Sequence, residues 1–177
     1  FSLTADRKFV LNHKYTNLGS IISIHESPWG DIYFGSSTGD IFLYDGKQIS
    51  LLVNIGRPGQ SKGMVKQIAA EDKNSFWITT DAGLFRVSVS PKQVDKVDLY
   101  AGTDTYQTIS INKLRIDAFR QLWVATSYGL YKINLWHNPV KHFIASKNEG
   151  LPDNQINNIY RDKQGTVWVA TGKGLAG

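Results

Sequence analysis

Four histidines, His13, His25, His137 and His142, are the residues of this chain best suited to hold a transition metal or to move a proton near neutral pH. No pair has the His-x-x-x-His spacing that sets two imidazoles on one helix face. There is no cysteine, which removes thiolate ligands, a thiol nucleophile and a disulfide framework together. No metal site is expected. Gly172-Lys173-Gly174-Leu175-Ala176-Gly177 fits G-x-G-x-x-G, the spacing whose backbone N–H groups cradle a pyrophosphate, and it follows a strand-like run. A dinucleotide site would also need a helix opening on those glycines and an acidic residue about 20 positions on. The stretch instead lines up with Asp81-Ala82-Gly83-Leu84 and Ser127-Tyr128-Gly129-Leu130, so a structural repeat explains it and no cofactor is expected. Asp72, Asp117 and Asp162 recur at equal spacing, which marks a turn and not a catalytic carboxylate pair. No Walker sequence occurs, and no catalytic residue is assigned.

What positions these residues is a repeat, the first thing to seek in any chain. Four segments align, beginning at Ser20, Met64, Ser110 and Ile156. An aromatic anchor falls at Tyr33, Trp77, Trp123 and Trp168. A glycine falls in step at Gly39, Gly83, Gly129 and Gly174, and a hydroxyl residue precedes each at Ser36, Thr80, Thr126 and Thr171. Each unit reads as four short strands. The first is apolar (Ile21–Ile24, Ile156–Tyr160), the second short and aromatic, the third follows the glycine turn (Gly129–Asn134), and the fourth is more polar (Gln48–Asn54, Val94–Tyr100, Val140–Ser146). Between the first two lie Ser27-Pro28-Trp29-Gly30 and Asp162-Lys163-Gln164-Gly165. These have the acceptor at position one and glycine at position four that a type I turn favours.

A period near 45 residues with four strands per unit predicts an all-β β-propeller of about four blades, each a four-stranded antiparallel sheet. One such sheet has two apolar faces and must stack on its neighbours. The anchor aromatics are expected to fill the space between blades, where a buried ring contributes about 1.5–3 kcal/mol. The expected units are 1–17 (outer strands of a blade), 18–55, 64–100, 108–146 and an incomplete 156–177. The opening strands could supply what the last blade lacks. A piece of a larger propeller is the leading reading, beside a closed four-bladed ring or two chains pairing into an eight-bladed one. The 177 residues carry 41% hydrophobic side chains and a net charge of +5, without a basic run, so a folded core is expected and a nucleic-acid groove is not.

The stretch from Gly150 to Leu175 resembles the two-component regulator propeller repeat: an apolar strand, Asp-x-x-Gly, Trp, a small residue, Thr and Gly-Leu. The third repeat departs from it with Arg120 for the turn glycine, the second has Ser75 there and is one residue shorter, and the first has Tyr33 for Trp. The resemblance implies the periplasmic sensor region of a membrane receptor, with a sandwich domain and a histidine kinase or cyclase module elsewhere in the protein. It implies a small ligand, with breakdown products of complex carbohydrates as the leading class. It also implies contacts with neighbouring propeller and sandwich domains. Self-association is expected of a partial propeller. Competing readings are a propeller lyase or hydrolase acting on polysaccharide, and a free-standing interaction propeller.

In a propeller the fourth-to-first and second-to-third loops share one face, which commonly binds ligands. Here that face offers Arg57, Lys62, Asp81, Asp104, Tyr106, Tyr128 and Lys173 as candidate contacts. On the opposite face Trp29 and Trp136-His137 lie outside the repeat anchors and are expected to cover a blade edge.

Overall fold

The computed structural model describes residues 2–3, 9–10, 18–55, 63–99, 109–136, 140–147 and 150–177. These residues form β-strands β1 (Ser2–Leu3), β2 (Phe9–Val10), β3 (Ile21–Glu26), β4 (Ile32–Ser36), β5 (Asp40–Tyr44), β6 (Ile49–Asn54), β7 (Gln67–Ala70), β8 (Ser75–Thr80), β9 (Gly83–Ser88), β10 (Gln93–Val97), β11 (Ile111–Ile116), β12 (Gln121–Thr126), β13 (Gly129–Asn134), β14 (Val140–Phe143), β15 (Ile156–Arg161), β16 (Val167–Thr171) and β17 (Gly174–Ala176). One 3₁₀ turn, Ala145–Lys147, interrupts the all-β pattern just after β14, where a longer fourth strand is expected from the sequence.

Each sheet is an antiparallel meander in chain order: β3-β4-β5-β6, β7-β8-β9-β10, β11-β12-β13-β14 and β15-β16-β17. The first strands of successive sheets lie side by side, β3 on β7, β7 on β11 and β11 on β15. This is the blade-on-blade stacking of a propeller, and among the described residues no sheet closes the ring. Among the described residues the N-terminal strands are not paired with the last sheet. β1 and β2 pair with each other, Ser2 with Val10 and Leu3 with Phe9, and β15-β16-β17 remains three-stranded.

Stacking puts the core between sheets, not within one. Tyr33, Ile41 and Val53 of the first sheet meet Ile68, Phe76 and Ile78 of the second, with the Tyr33 and Phe76 rings edge to face at 4.8 Å. Trp77 and Leu84 of the second meet Leu114, Leu122 and Val124 of the third. Trp123 and Phe143, with Ala125 and Leu130, pack with Ile156, Ile159 and Val169 of the fourth. A second strand is thus covered on both faces. In β8 all six residues, Ser75 to Thr80, are buried, so the strand shows no alternation of buried and exposed positions. The anchor aromatics follow the stacking. Tyr33 and Trp77 are buried and Trp123 half-buried, whereas Trp168, with no fifth sheet against it among the described residues, is 38% exposed.

The repeat landmarks have a local cause. The turn before each second strand closes with the N–H of Gly30 on the carbonyl of Ser27 (3.0 Å), Arg120 on Asp117 (3.2 Å) and Gly165 on Asp162 (3.2 Å). The fourth turn residue must take a positive φ, +88° at Gly30 and +101° at Gly165. Arg120 adopts +55° in the same place, a conformation costly for any residue with a Cβ. After each second strand the hydroxyl residue caps the glycine turn. Thr126 Oγ1 donates to the Gly129 carbonyl (2.7 Å) and accepts from Tyr128 N–H (3.1 Å), and Thr171 does the same for Gly174 and Lys173.

Candidate functional site

The acid that opens the turn has a second duty. Trp123 Nε1 donates to Asp117 Oδ2 (2.9 Å) and Trp168 Nε1 to Asp162 Oδ2 (2.8 Å), while the other oxygen of each carboxylate accepts backbone N–H groups of the turn. The Trp168 indole bond, with those N–H groups, holds the Asp162 carboxyl below the usual carboxylate range. In the second sheet the turn is one residue shorter and the work divides. Asp72 Oδ1 caps Asn74 and Ser75 N–H, and Trp77 Nε1 turns to Glu71 Oε2 (2.9 Å). The acid that serves the indole lies six residues before each Trp: Glu71, Asp117, Asp162. Asp72, Asp117 and Asp162 thus share the turn role that their equal spacing marks, and only the indole bond passes to Glu71 in the second repeat.

Glu71 is an enclosed charge, its side chain only 5% exposed. Arg86 Nε (3.0 Å) and a terminal nitrogen of Arg120 (3.1 Å) both donate to it. Arg86 comes from its own sheet, and the hydrogen bond to Glu71 raises its pKa further. Arg120 comes from the next sheet, and Trp136 lies over its guanidinium at 4.9 Å. Trp136 is itself 68% exposed, whereas Trp29 packs against the first core and donates Nε1 to Asp31.

Between the first strands and the turns that follow them lies a cavity of about 920 Å³, lined by residues of β3, β7 and β11. Polar side chains stitch its wall together. Ser23 Oγ donates to the Val65 carbonyl (2.7 Å), and Gln67 donates to the Asn112 carbonyl (2.6 Å) and accepts from Leu114 N–H (2.9 Å). Asn112 Nδ2 donates to the Ile156 carbonyl (2.7 Å). His25 Nε2 accepts from Ala70 N–H (3.3 Å), which places the neutral ring's proton on Nδ1. Burial, and then the positive charge of Arg115, pull the His25 pKa below the ordinary histidine value. Lys113 and Arg115 flank the buried Leu114 on β11 and face the cavity.

Of the loop-face candidates, Arg57, Lys62, Asp104 and Tyr106 lie outside the described residues. Asp81 accepts from Lys66 Nζ at 2.5 Å, and Lys66 lines the cavity. The Tyr128 carbonyl accepts from His142 Nε2 (2.9 Å), and that imidazole stacks on Tyr131 at 4.1 Å. Lys173 is exposed at the tip of the β16–β17 turn. Tyr128 and Lys173 do not line the cavity. His13 and His137 lie outside the described residues, and among the described residues no three metal-ligating side chains converge. No described helix is long and apolar enough to cross a membrane. The cavity's own contacts, His25, Lys113 and Arg115, escape a reading that looks for sites in loops. Their sequence signal is the charge-apolar-charge order of Lys113-Leu114-Arg115, which turns both cations off the core.

Stacked four-stranded meanders around a shared inner wall define the chain as part of a β-propeller. Residues 150–173 match the two component regulator propeller family, and this repeat is the last sheet of the structure. Over 97% of its length the chain is similar to the extracellular domain of BT4673 of B. thetaiotaomicron, assigned there to a one-component system, with 25% identity and a TM-score of 0.67. Over 88% it is similar to the extracellular domain of BT3049 of the same organism, assigned to the hybrid two-component systems, with 24% identity and a TM-score of 0.63. It spans 23% and 21% of those two chains. The fold is also shared with virginiamycin B lyase from Staphylococcus aureus, at 17% identity and a TM-score of 0.62 over 96% of this chain and 55% of that one. No curated protein matches the sequence.

Proposed function

We propose that this chain is a ligand-sensing segment of the extracytoplasmic region of a two-component receptor, and that its ligand is a carbohydrate or another small molecule. The observation that carries the reading is the cavity lined by the first strands of three successive sheets. Similarity to the extracellular domains of BT4673 and BT3049 supports a sensor role for a module of this kind. A site built on strands from different blades suits sensing. A ligand that touches three sheets favours whichever arrangement of those sheets it contacts best, and it can bias a receptor only by that difference in affinity. Neighbouring propeller and sandwich domains of a longer protein would read the change. Asp81, through Lys66, connects the loop face to the cavity wall, and Tyr128 and Lys173 are proposed as contacts of that face with ligand or neighbour. Likeness to the lyase extends to the fold alone and gives no support to an enzymatic reading.

The test is a thermal-shift screen of the chain against neutral and acidic oligosaccharides. Hits are then mapped by amide chemical-shift changes on β3, β7 and β11. Stabilisation with shifts on those strands supports the reading. A screen without stabilisation, or shifts confined elsewhere, overturns it.

A further inference from the structure

The charges that line the cavity sort into those already engaged and those held open. Lys66 is bonded to Asp81, and Arg120 to Glu71. Asp117 gives one oxygen to the turn N–H groups and the other to Trp123. Three charged groups remain: Lys113 and Arg115 on β11, and Glu26 at the end of β3. Neither Lys113 nor Arg115 forms a salt bridge among the described residues, and both are exposed on the same side of their strand. Two like charges two residues apart on one face repel each other, and an arrangement of that kind favours a bound counter-charge. Arg115 lines the same cavity as His25, and its positive charge helps lower the His25 pKa. Lys113 has three N–H groups and Arg115 a planar fork suited to a two-oxygen anion.

We propose that the cavity takes an anionic ligand, a small molecule bearing a carboxylate or sulfate, with Lys113 and Arg115 as its anchoring residues. This rests on the ligand-sensing reading and sharpens it by naming the ligand's charge. The fork of Arg115 would receive the two oxygens of the anion side by side, and the Lys113 ammonium would neutralise it from a neighbouring position. An oligosaccharide carrying a uronic acid and a free oxyanion share this chemistry.

The experiment uses a pair of probes that differ in one group. Glucuronate and glucose are titrated separately into the chain, with inorganic sulfate as a third probe, and binding is followed by NMR shifts on β3, β7 and β11. Glucuronate is expected to bind more tightly than glucose, with an affinity that falls as salt is added. Lys113→Gln and Arg115→Gln are each expected to weaken glucuronate about tenfold, the size of one charge-assisted hydrogen bond lost. Both side chains are exposed, so the melting temperatures of these variants should match the wild type. If sulfate binds with the same dependence on both residues, a free oxyanion suffices as ligand. If glucuronate alone does so, the sugar is also recognised. Either result supports the proposal. Equal binding of glucose and glucuronate, or variants without effect on glucuronate, overturns it while leaving a neutral-ligand sensor intact. Failure of both anions to bind the wild-type chain also overturns it, and a neutral hit in the oligosaccharide screen would still sustain the broader reading.

Discussion

Glu71 is where one substitution should reveal most about how neighbouring sheets hold together. Its carboxylate accepts from the Trp77 indole, from Arg86 of its own sheet and from Arg120 of the next, and water reaches almost none of it. Glu71→Gln keeps the volume and one acceptor oxygen but removes the charge that two guanidinium groups face. A hydrogen bond to a charged group contributes about 1.5–3 kcal/mol, and breaking one partner of a buried pair costs about 3–5 kcal/mol. Arg86 and Arg120 are 40% and 38% exposed, so water recovers part of that loss. The expected destabilisation is about 2–4 kcal/mol, which for a chain of this size lowers the melting temperature by about 5–15 °C. Urea unfolding followed by tryptophan fluorescence would measure it. A double-mutant cycle with Arg120→Ala would then isolate the part that crosses between sheets. A Glu71→Gln variant within about 0.5 kcal/mol of wild type would refute the view that this carboxylate clamps the second sheet to the third.

Three further outcomes follow from the same geometry. His25 is a neutral acceptor for Ala70 N–H with a lowered pKa, so the unfolded chain binds a proton more readily. Its contribution is complete above pH about 6.5 and is lost as pH falls below that value, and unfolding measured from pH 8 to pH 5 should show a decline that His25→Gln flattens. Arg120 holds a left-handed φ of +55°, so Arg120→Gly should be more stable than Arg120→Ala by about 1 kcal/mol although both lose the bond to Glu71; the reverse order in urea melts would contradict the turn assignment. Thr126→Val keeps its shape but leaves the Tyr128 N–H and the Gly129 carbonyl without the hydroxyl; a loss of about 1–3 kcal/mol is expected, and an unchanged midpoint would deny the cap its role.

The strands and their order could be read from the sequence because the repeat offers several landmarks per unit, and each has a local cause. Gly165 is needed by its φ, Thr171 by its cap, and Trp77 by the stack. Where the structure departs from that reading, a contact distant in sequence decided. The divided role of Glu71 and Asp72 depends on a single deletion that shifts one side chain toward Arg120 of the next sheet. The opening strands could be matched to a missing edge by phase alone, but phase does not specify the partner, and β1 pairs with β2. The cavity was hidden for a related reason. His25 and Arg115 lie 90 positions apart and interact only because three sheets stack. Strand patterning shows that Lys113 points away from its core; it does not show what it points toward.

The stitching along the cavity wall has a direction. Ser23 and His25 of the first sheet, Gln67 of the second and Asn112 of the third each bond the backbone of the sheet that follows. The arc therefore has a head and a tail that differ in kind. The first sheet leaves Ile22, Ile24 and Leu51 exposed, and the last leaves Tyr160, Trp168 and Leu175, with Asn157 exposed at the bulge that Asn112 occupies one sheet earlier. Two copies joined through unlike ends share a two-fold axis only where each chain turns through half a circle. Any assembly through them runs head to tail, and the rotation accumulated per chain decides whether it closes as a ring or continues as a fibre.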